Sequence, residues 1–98
     1  MGKLSIGRSN LRLDDRTLAH LEAVIVTKLR RRESFVFTWT TEPSLGSGRT
    51  AAWVHPAASI DFYFDSRPKA LNPVWVELLM GSANQPGGLH LLPEPDES

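Results

Sequence analysis

The run Asp14-Asp15-Arg16-Thr17-Leu18-Ala19-His20-Leu21-Glu22-Ala23-Val24-Ile25-Val26-Thr27-Lys28-Leu29-Arg30-Arg31-Arg32 decides the fold, together with its continuation Glu33-Ser34-Phe35-Val36-Phe37-Thr38-Trp39-Thr40-Thr41. Leu18, Leu21, Ile25 and Leu29 recur at steps of three and four, the spacing of one face of a helix. Asp14 or Asp15 is suited to cap its start, because a short carboxylate accepts the free amide hydrogens of a first turn. From Ser34 the period changes to two. Phe35, Phe37 and Trp39 alternate with Val36, Thr38 and Thr40, which is the pattern of a strand with one buried face. An apolar helix stripe and an aromatic strand face bury each other, and the rest of the chain completes that contact.

Two helix residues fit the stripe poorly. Val24 falls among polar neighbours such as His20, and Glu22 lies at the stripe's margin with its carboxylate in water or paired. Val24, His20 and, further on, Tyr63 are therefore the candidate contacts for a partner.

Outward from this unit, Lys3–Ile6 and Asn10–Leu13 read as a hairpin about Gly7. Thr50–His55 and Ile60–Phe64 read as strands, and with 34–41 they form an antiparallel meander. Asn72-Pro73 opens a second helix, with Asn as cap and Pro at the first helical position. Its inner stripe is Trp75, Leu78, Leu79 and Ser82 or Ala83. Leu89–Leu92 reads as a last strand. The order β-β-α-β-β-β-α-β describes an α+β fold, a mostly antiparallel sheet with two helices on one face. Residues 1–92 make a single domain. Residues 93–98 are expected as a disordered acidic tail, since they have no apolar side chain larger than proline to bury.

Composition excludes several functions. There is no cysteine, so disulfides, thiolate metal sites and cysteine nucleophiles are absent. Eleven basic residues balance eleven acidic ones, which gives no general attraction to nucleic acid or anionic membrane. The balance is uneven: residues 1–32 hold eight Lys or Arg against three Asp or Glu. No apolar run approaches the ~20 residues of a membrane helix. The opening residues lack the apolar core of a secretion signal. A cytoplasmic, membrane-free chain is expected.

The phrases Leu18-Ala19-His20-Leu21, Val24-Ile25-Val26-Thr27-Lys28-Leu29-Arg30-Arg31, Glu33-Ser34-Phe35, Gly46-Ser47-Gly48-Arg49-Thr50, Trp53-Val54-His55-Pro56, Leu71-Asn72 with Trp75, and Pro93-Glu94-Pro95 carry a resemblance. The chain resembles a family of actinobacterial proteins of about this length with no established function, many labelled "ATP-dependent DNA ligase". The resemblance implies no catalytic residue. Such ligases carry a Lys-x-Asp-Gly motif whose lysine takes AMP. Here Lys3 is followed by Leu4-Ser5-Ile6, Lys28 by Leu29-Arg30-Arg31, and Lys69 by Ala70-Leu71-Asn72, so none fits.

The remaining candidates are few. Lys28, Arg30 and Arg31, with Arg32, could hold phosphate. Cations in a last helical turn also complement the helix dipole, and consecutive helix residues fan apart by ~100°, which favours the structural account. Gly46-Ser47-Gly48-Arg49-Thr50 could cradle an anion through its amides and the Arg49 fork, although it lacks a P-loop ending and leads into a strand. Tyr63 could stack a base on an open sheet. The Trp and Phe residues read as core. His20, His55 and His90 lie on three elements without metal-ligand spacing, so neither metal nor cofactor is expected. An Arg49–His55 hydrolase or transferase is a remote alternative. The favoured reading is a non-enzymatic protein-interaction module that binds itself or another protein. The alternative is a nucleic-acid-associated accessory protein.

Overall fold

The computed structural model describes residues 1–40 and 49–96. Thr41 and the Gly46-Ser47-Gly48 half of the anion loop lie outside the described residues, as does the end of the tail. The elements are β1 (Gly2–Ile6), β2 (Ser9–Leu13), α1 (Asp15–Arg30), β3 (Phe35–Thr40), β4 (Arg49–Val54), β5 (Ile60–Tyr63), α2 (Pro73–Ala83) and β6 (Leu89–His90). The order is the expected one, and the fold is α+β.

The strands form two three-stranded sheets, ordered β2-β1-β5 and β4-β3-β6. The meander is thereby corrected. β3 and β4 pair antiparallel, but β5 crosses to β1, with Lys3 opposite Tyr63 and Ser5 opposite Asp61. β6 runs parallel to β3 and is shorter than expected, pairing through Phe37–Leu89 and Thr38–His90. Alternation in a strand determines which face is buried, and leaves open which neighbour it takes. The β1–β2 hairpin closes on Gly7-Arg8, with Gly7 at φ 58° in the first central position, as a II′ turn requires.

Both sheets turn one face to a shared core. It contains Leu4, Ile6 and Leu13 from the first sheet, and Phe35, Phe37, Trp39, Val54 and Leu89 from the second. Leu18, Leu21 and Ile25 of α1 and Trp75 and Leu79 of α2 fill it from the helices. Leu78, expected in the α2 stripe, is instead exposed.

Asp14 is the N-cap of α1: its side chain accepts from Thr17 N–H at 3.2 Å and from the Thr17 hydroxyl at 2.6 Å. Those bonds, the hydroxyl foremost, hold the Asp14 carboxyl below its ordinary pKa. Glu22 is paired, receiving both terminal nitrogens of Arg67 at 2.7 and 3.1 Å.

Val24 and His20 are completely buried, so neither is a surface contact for a partner. The buried arc of α1 is wider than the leucine stripe. At ~100° per residue, Val24 sits about 60° beyond Leu21 and His20 about 100° beyond it. That flank meets α2, where the His20 and Trp75 rings lie 4.4 Å apart between centroids. A helix covered on two sides buries residues that a single-stripe reading assigns to solvent.

The end of α1 is tightened by two bonds. Arg32 N–H donates to Leu29 O and Glu33 N–H to Lys28 O, each at 3.0 Å, the pairing of a Schellman motif. The motif needs a left-handed residue, and Arg32 supplies it at φ 59°. A side chain there is strained where glycine is not. Arg32→Gly should raise stability by about 0.5–1 kcal/mol, read as a shift of the urea midpoint with unchanged slope.

Candidate interaction surface

The strand register sorts the residues of the second sheet. Phe35, Phe37 and Trp39 of β3 point into the core, as do Ala52 and Val54 of β4 and Leu89 of β6. The opposite face carries Val36, Thr38 and Thr40. Their register partners on it are Trp53, Ala51 and Arg49, and His90 stands opposite Thr38. Trp53 is 60% exposed, so the reading of every Trp as core fails at this residue. A signal for this exists in the sequence: Trp53 shares its strand face with Arg49, and it alternates with Val54, which is fully buried.

This outer face is smooth and short-chained around Trp53. Val36 and Thr38 are half-buried and Ala51 is exposed. At one side His90 Nδ1 and the Thr38 hydroxyl share a hydrogen bond of 2.9 Å. His90 N–H donates to Ser82 Oγ, whose hydroxyl donates to Gly88 O, both at 3.1 Å, so α2 fixes the end strand. At the Thr40 end, among the described residues, Thr38, Thr40, Arg49, His90 and Leu92 line a cleft of ≈ 350 Å³.

The candidate phosphate residues are not brought together. Lys28 is buried. Its Nζ lies 2.8 Å from Glu33 Oε1, donates to Asn84 Oδ1 at 2.6 Å, and stands 6.0 Å from the centroid of the Phe35 ring. It joins the C-terminal ends of the two helices, and its hydrogen bond holds the Glu33 carboxyl below its ordinary pKa. Lys28 is therefore not free to hold phosphate, contrary to the expectation from its basic run. Arg30 and Arg31 are exposed at the turn that leads into β3, whereas Arg49 pairs with Thr40 at the other end of that strand. Six residues of strand span roughly 17 Å, so one phosphate cannot touch both. Thr50 lies opposite Trp39, on the other side of β4 from Arg49.

Tyr63 is 58% exposed on the outer face of the first sheet, opposite Lys3, which is itself opposite Arg12. The neighbouring positions Asp61 and Asp65 carry the opposite charge. Asp65 lies 2.7 Å from the Met1 amino group. That contact lowers the Asp65 pKa and raises that of the amino group. The face is polar and charge-balanced.

Sequence reasoning missed a polar hub beneath these surfaces. His20 Nδ1 lies 2.7 Å from Arg16 O, and its Nε2 accepts from Asn72 N–H at 2.7 Å, which assigns the Nδ1-protonated neutral ring. Asn72 is completely buried. Its Oδ1 caps α2, accepting from Val74 N–H and Trp75 N–H, and its Nδ2 donates to Glu94 Oε2 at 3.1 Å and Pro95 O at 2.8 Å. Glu94 takes Arg16 with both oxygens, at 2.8 and 2.7 Å. Residues 94 and 95 are thus tied down within the stretch expected to be disordered.

The Glu94 carboxyl is lowered to about 2, first by Arg16 and then by Asn72. A depressed carboxylate contributes stability that is complete above its unfolded pKa and lost as pH falls through the folded one. The expected result is a loss of stability from about pH 4.5 down to about 2, shallower in Glu94→Gln, measured by urea unfolding across that range.

The chain belongs to the family described as a domain of unknown function (DUF7882), matched over residues 1–94. The family match reaches Glu94, so it takes in the whole Arg16–Asn72–Glu94 hub as well as the Trp53 face. No curated protein and no solved structure matches the chain. Among the described residues no helix is long and apolar enough to cross a membrane, and no three His, Cys, Asp or Glu side chains are grouped to hold a metal.

Proposed function

We propose that this member of the family is a small non-enzymatic protein-interaction module whose contact surface is the outer face of the β4-β3-β6 sheet, centred on Trp53. The observation that carries the reading is Trp53 itself, 60% exposed on a sheet face of Val36, Thr38 and Ala51. A tryptophan held on a rigid strand offers a large contact area at little cost in side-chain entropy, and such residues dominate binding energy at interfaces. Its exposure makes it dispensable to the fold: Trp53→Ala leaves stability within about 0.5 kcal/mol.

The test is photo-crosslinking in cells of the source type, with a benzophenone amino acid at position 53 and a control at Ala57. Discrete adducts from position 53, absent from position 57, support the module. Equal or absent labelling at position 53 refutes it. A second reading draws on Arg49 and Trp53 sharing one face, an arrangement that can stack a base and hold its phosphate. Fluorescence anisotropy with single- and double-stranded DNA at low salt separates the two, because only the second reading expects salt-sensitive binding that is lost in Arg49→Ala.

A further inference from the structure

The outer strands of the two sheets differ in how their open edges are guarded. β2 carries Arg12 and β5 carries Asp61 within the strand, the usual protection against pairing with another chain. β6 is only two residues long. β4 pairs on one side with β3 and, among the described residues, with nothing on the other. It has no charge and no proline between Arg49 and Val54: the interior is Thr50-Ala51-Ala52-Trp53. An unguarded edge of this length is a template for a further strand.

The sequence of β4 specifies which strand. Arg49, Ala51 and Trp53 share the outer face, and Ala51 lies midway between the other two. Two copies running antiparallel about a two-fold axis through Ala51 place Arg49 of each chain opposite Trp53 of the other. They also place Thr50 opposite Ala52, and Ala51 opposite itself. Each guanidinium then meets an indole face, a favourable cation–π pair made twice by symmetry. No like charges oppose each other, and the alanine methyls allow close approach at the axis. A register centred on Ala52 forfeits this match, setting Trp53 against Ala51.

We propose that a second copy of the chain joins edge to edge through β4 in the Ala51-centred register, so that each Trp53 takes Arg49 of the other chain as its neighbour. The two β4-β3-β6 sheets become one six-stranded sheet with both Trp53 side chains on its outer face. The proposal rests on the reading of the Trp53 face as an interaction surface and extends it to the β4 edge of that face, where each Trp53 meets Arg49 of the other chain.

The chain has no native cysteine, so a single introduced thiol reports the register directly. Light scattering of the full chain, over a wide range of concentration, should give twice the monomer mass at the upper end. Ala51→Cys should oxidise to a disulfide-linked dimer roughly tenfold faster than Ala57→Cys, because residue 51 meets its own copy within disulfide reach. Ala51→Glu sets two carboxylates across the axis and should weaken association roughly tenfold or more, with the circular dichroism of the monomer unchanged. Monomer mass at every concentration overturns the proposal. A dimer in which Ala52→Cys links faster than Ala51→Cys, or which Ala51→Glu leaves intact, overturns the register. The interaction reading fails separately: a monomer that still gives photo-adducts with another protein at position 53 loses only the second copy, and a monomer that gives no adduct loses both.

Discussion

Asn72→Ala is expected to lower the stability of the fold by about 3 kcal/mol, roughly 12–20 °C in melting temperature for a chain of this size. Loss of the α2 cap accounts for about 1 kcal/mol. The two hydrogen bonds from Nδ2 to Glu94 and Pro95 account for about as much again, and the buried gap left behind supplies the rest. The backbone N–H of residue 72 still reaches His20, so the ring keeps its partner. Asn72→Asp separates the contributions. It preserves the acceptor for Val74 and Trp75 but turns a carboxylate toward Glu94 and Pro95 O, so the tail should release while α2 stays capped. Thermal unfolding reads the first effect, and protease cleavage after residue 92 reads the second. A loss under about 1 kcal/mol in Asn72→Ala would show that the hub adds nothing beyond an ordinary cap.

What the sequence discloses follows from the range of each interaction. Caps are local: Asp14 acts on Thr17, and Asn72 acts on Val74 and Trp75, so both helix starts are legible. The alternation of Phe35, Phe37 and Trp39 is local too, and it identifies the buried face. The pairing of β5 with β1 joins residues far apart in the chain, and no periodicity within either strand encodes it. His20 and Asn72 illustrate the same limit. Each looks polar and superficial alone, and only their meeting across the core explains why both are buried. Lys28 misleads for the converse reason. Its place in a basic run suggests solvent, whereas Glu33 and Asn84 give it two partners inside the fold. The candidate surface is less legible. Arg49 offers itself in the sequence only as a possible anion contact, and residue type alone assigns Trp53 to the core when its parity with Arg49 points outward.

The seat of β6 against β3 depends on one glycine. Gly88→Ala should cost about 3–4 kcal/mol. Gly88 sits at φ 85°, a conformation an L side chain enters at a cost of about 1–2 kcal/mol. A Cβ there would also press on the carbonyl of Val36, a backbone group that cannot swing aside. β6 would have to lift from β3, weakening the Phe37–Leu89 and Thr38–His90 pairing and drawing the fully buried Leu89 outward. The Thr38–His90 bond on the outer face would loosen with it, so the interaction surface and the core should fail together. Gly81→Ala is the internal control. Gly81 lies within α2, exposed, and a methyl group added to it would meet nothing within 4 Å, so the same chemical change should stabilise by about 0.5–1 kcal/mol through helix propensity alone. Urea unfolding of the two variants should move in opposite directions. If both were stabilised, β6 would not depend on the close approach of Gly88 to Val36, and the parallel pairing that completes the Trp53 sheet would need another support.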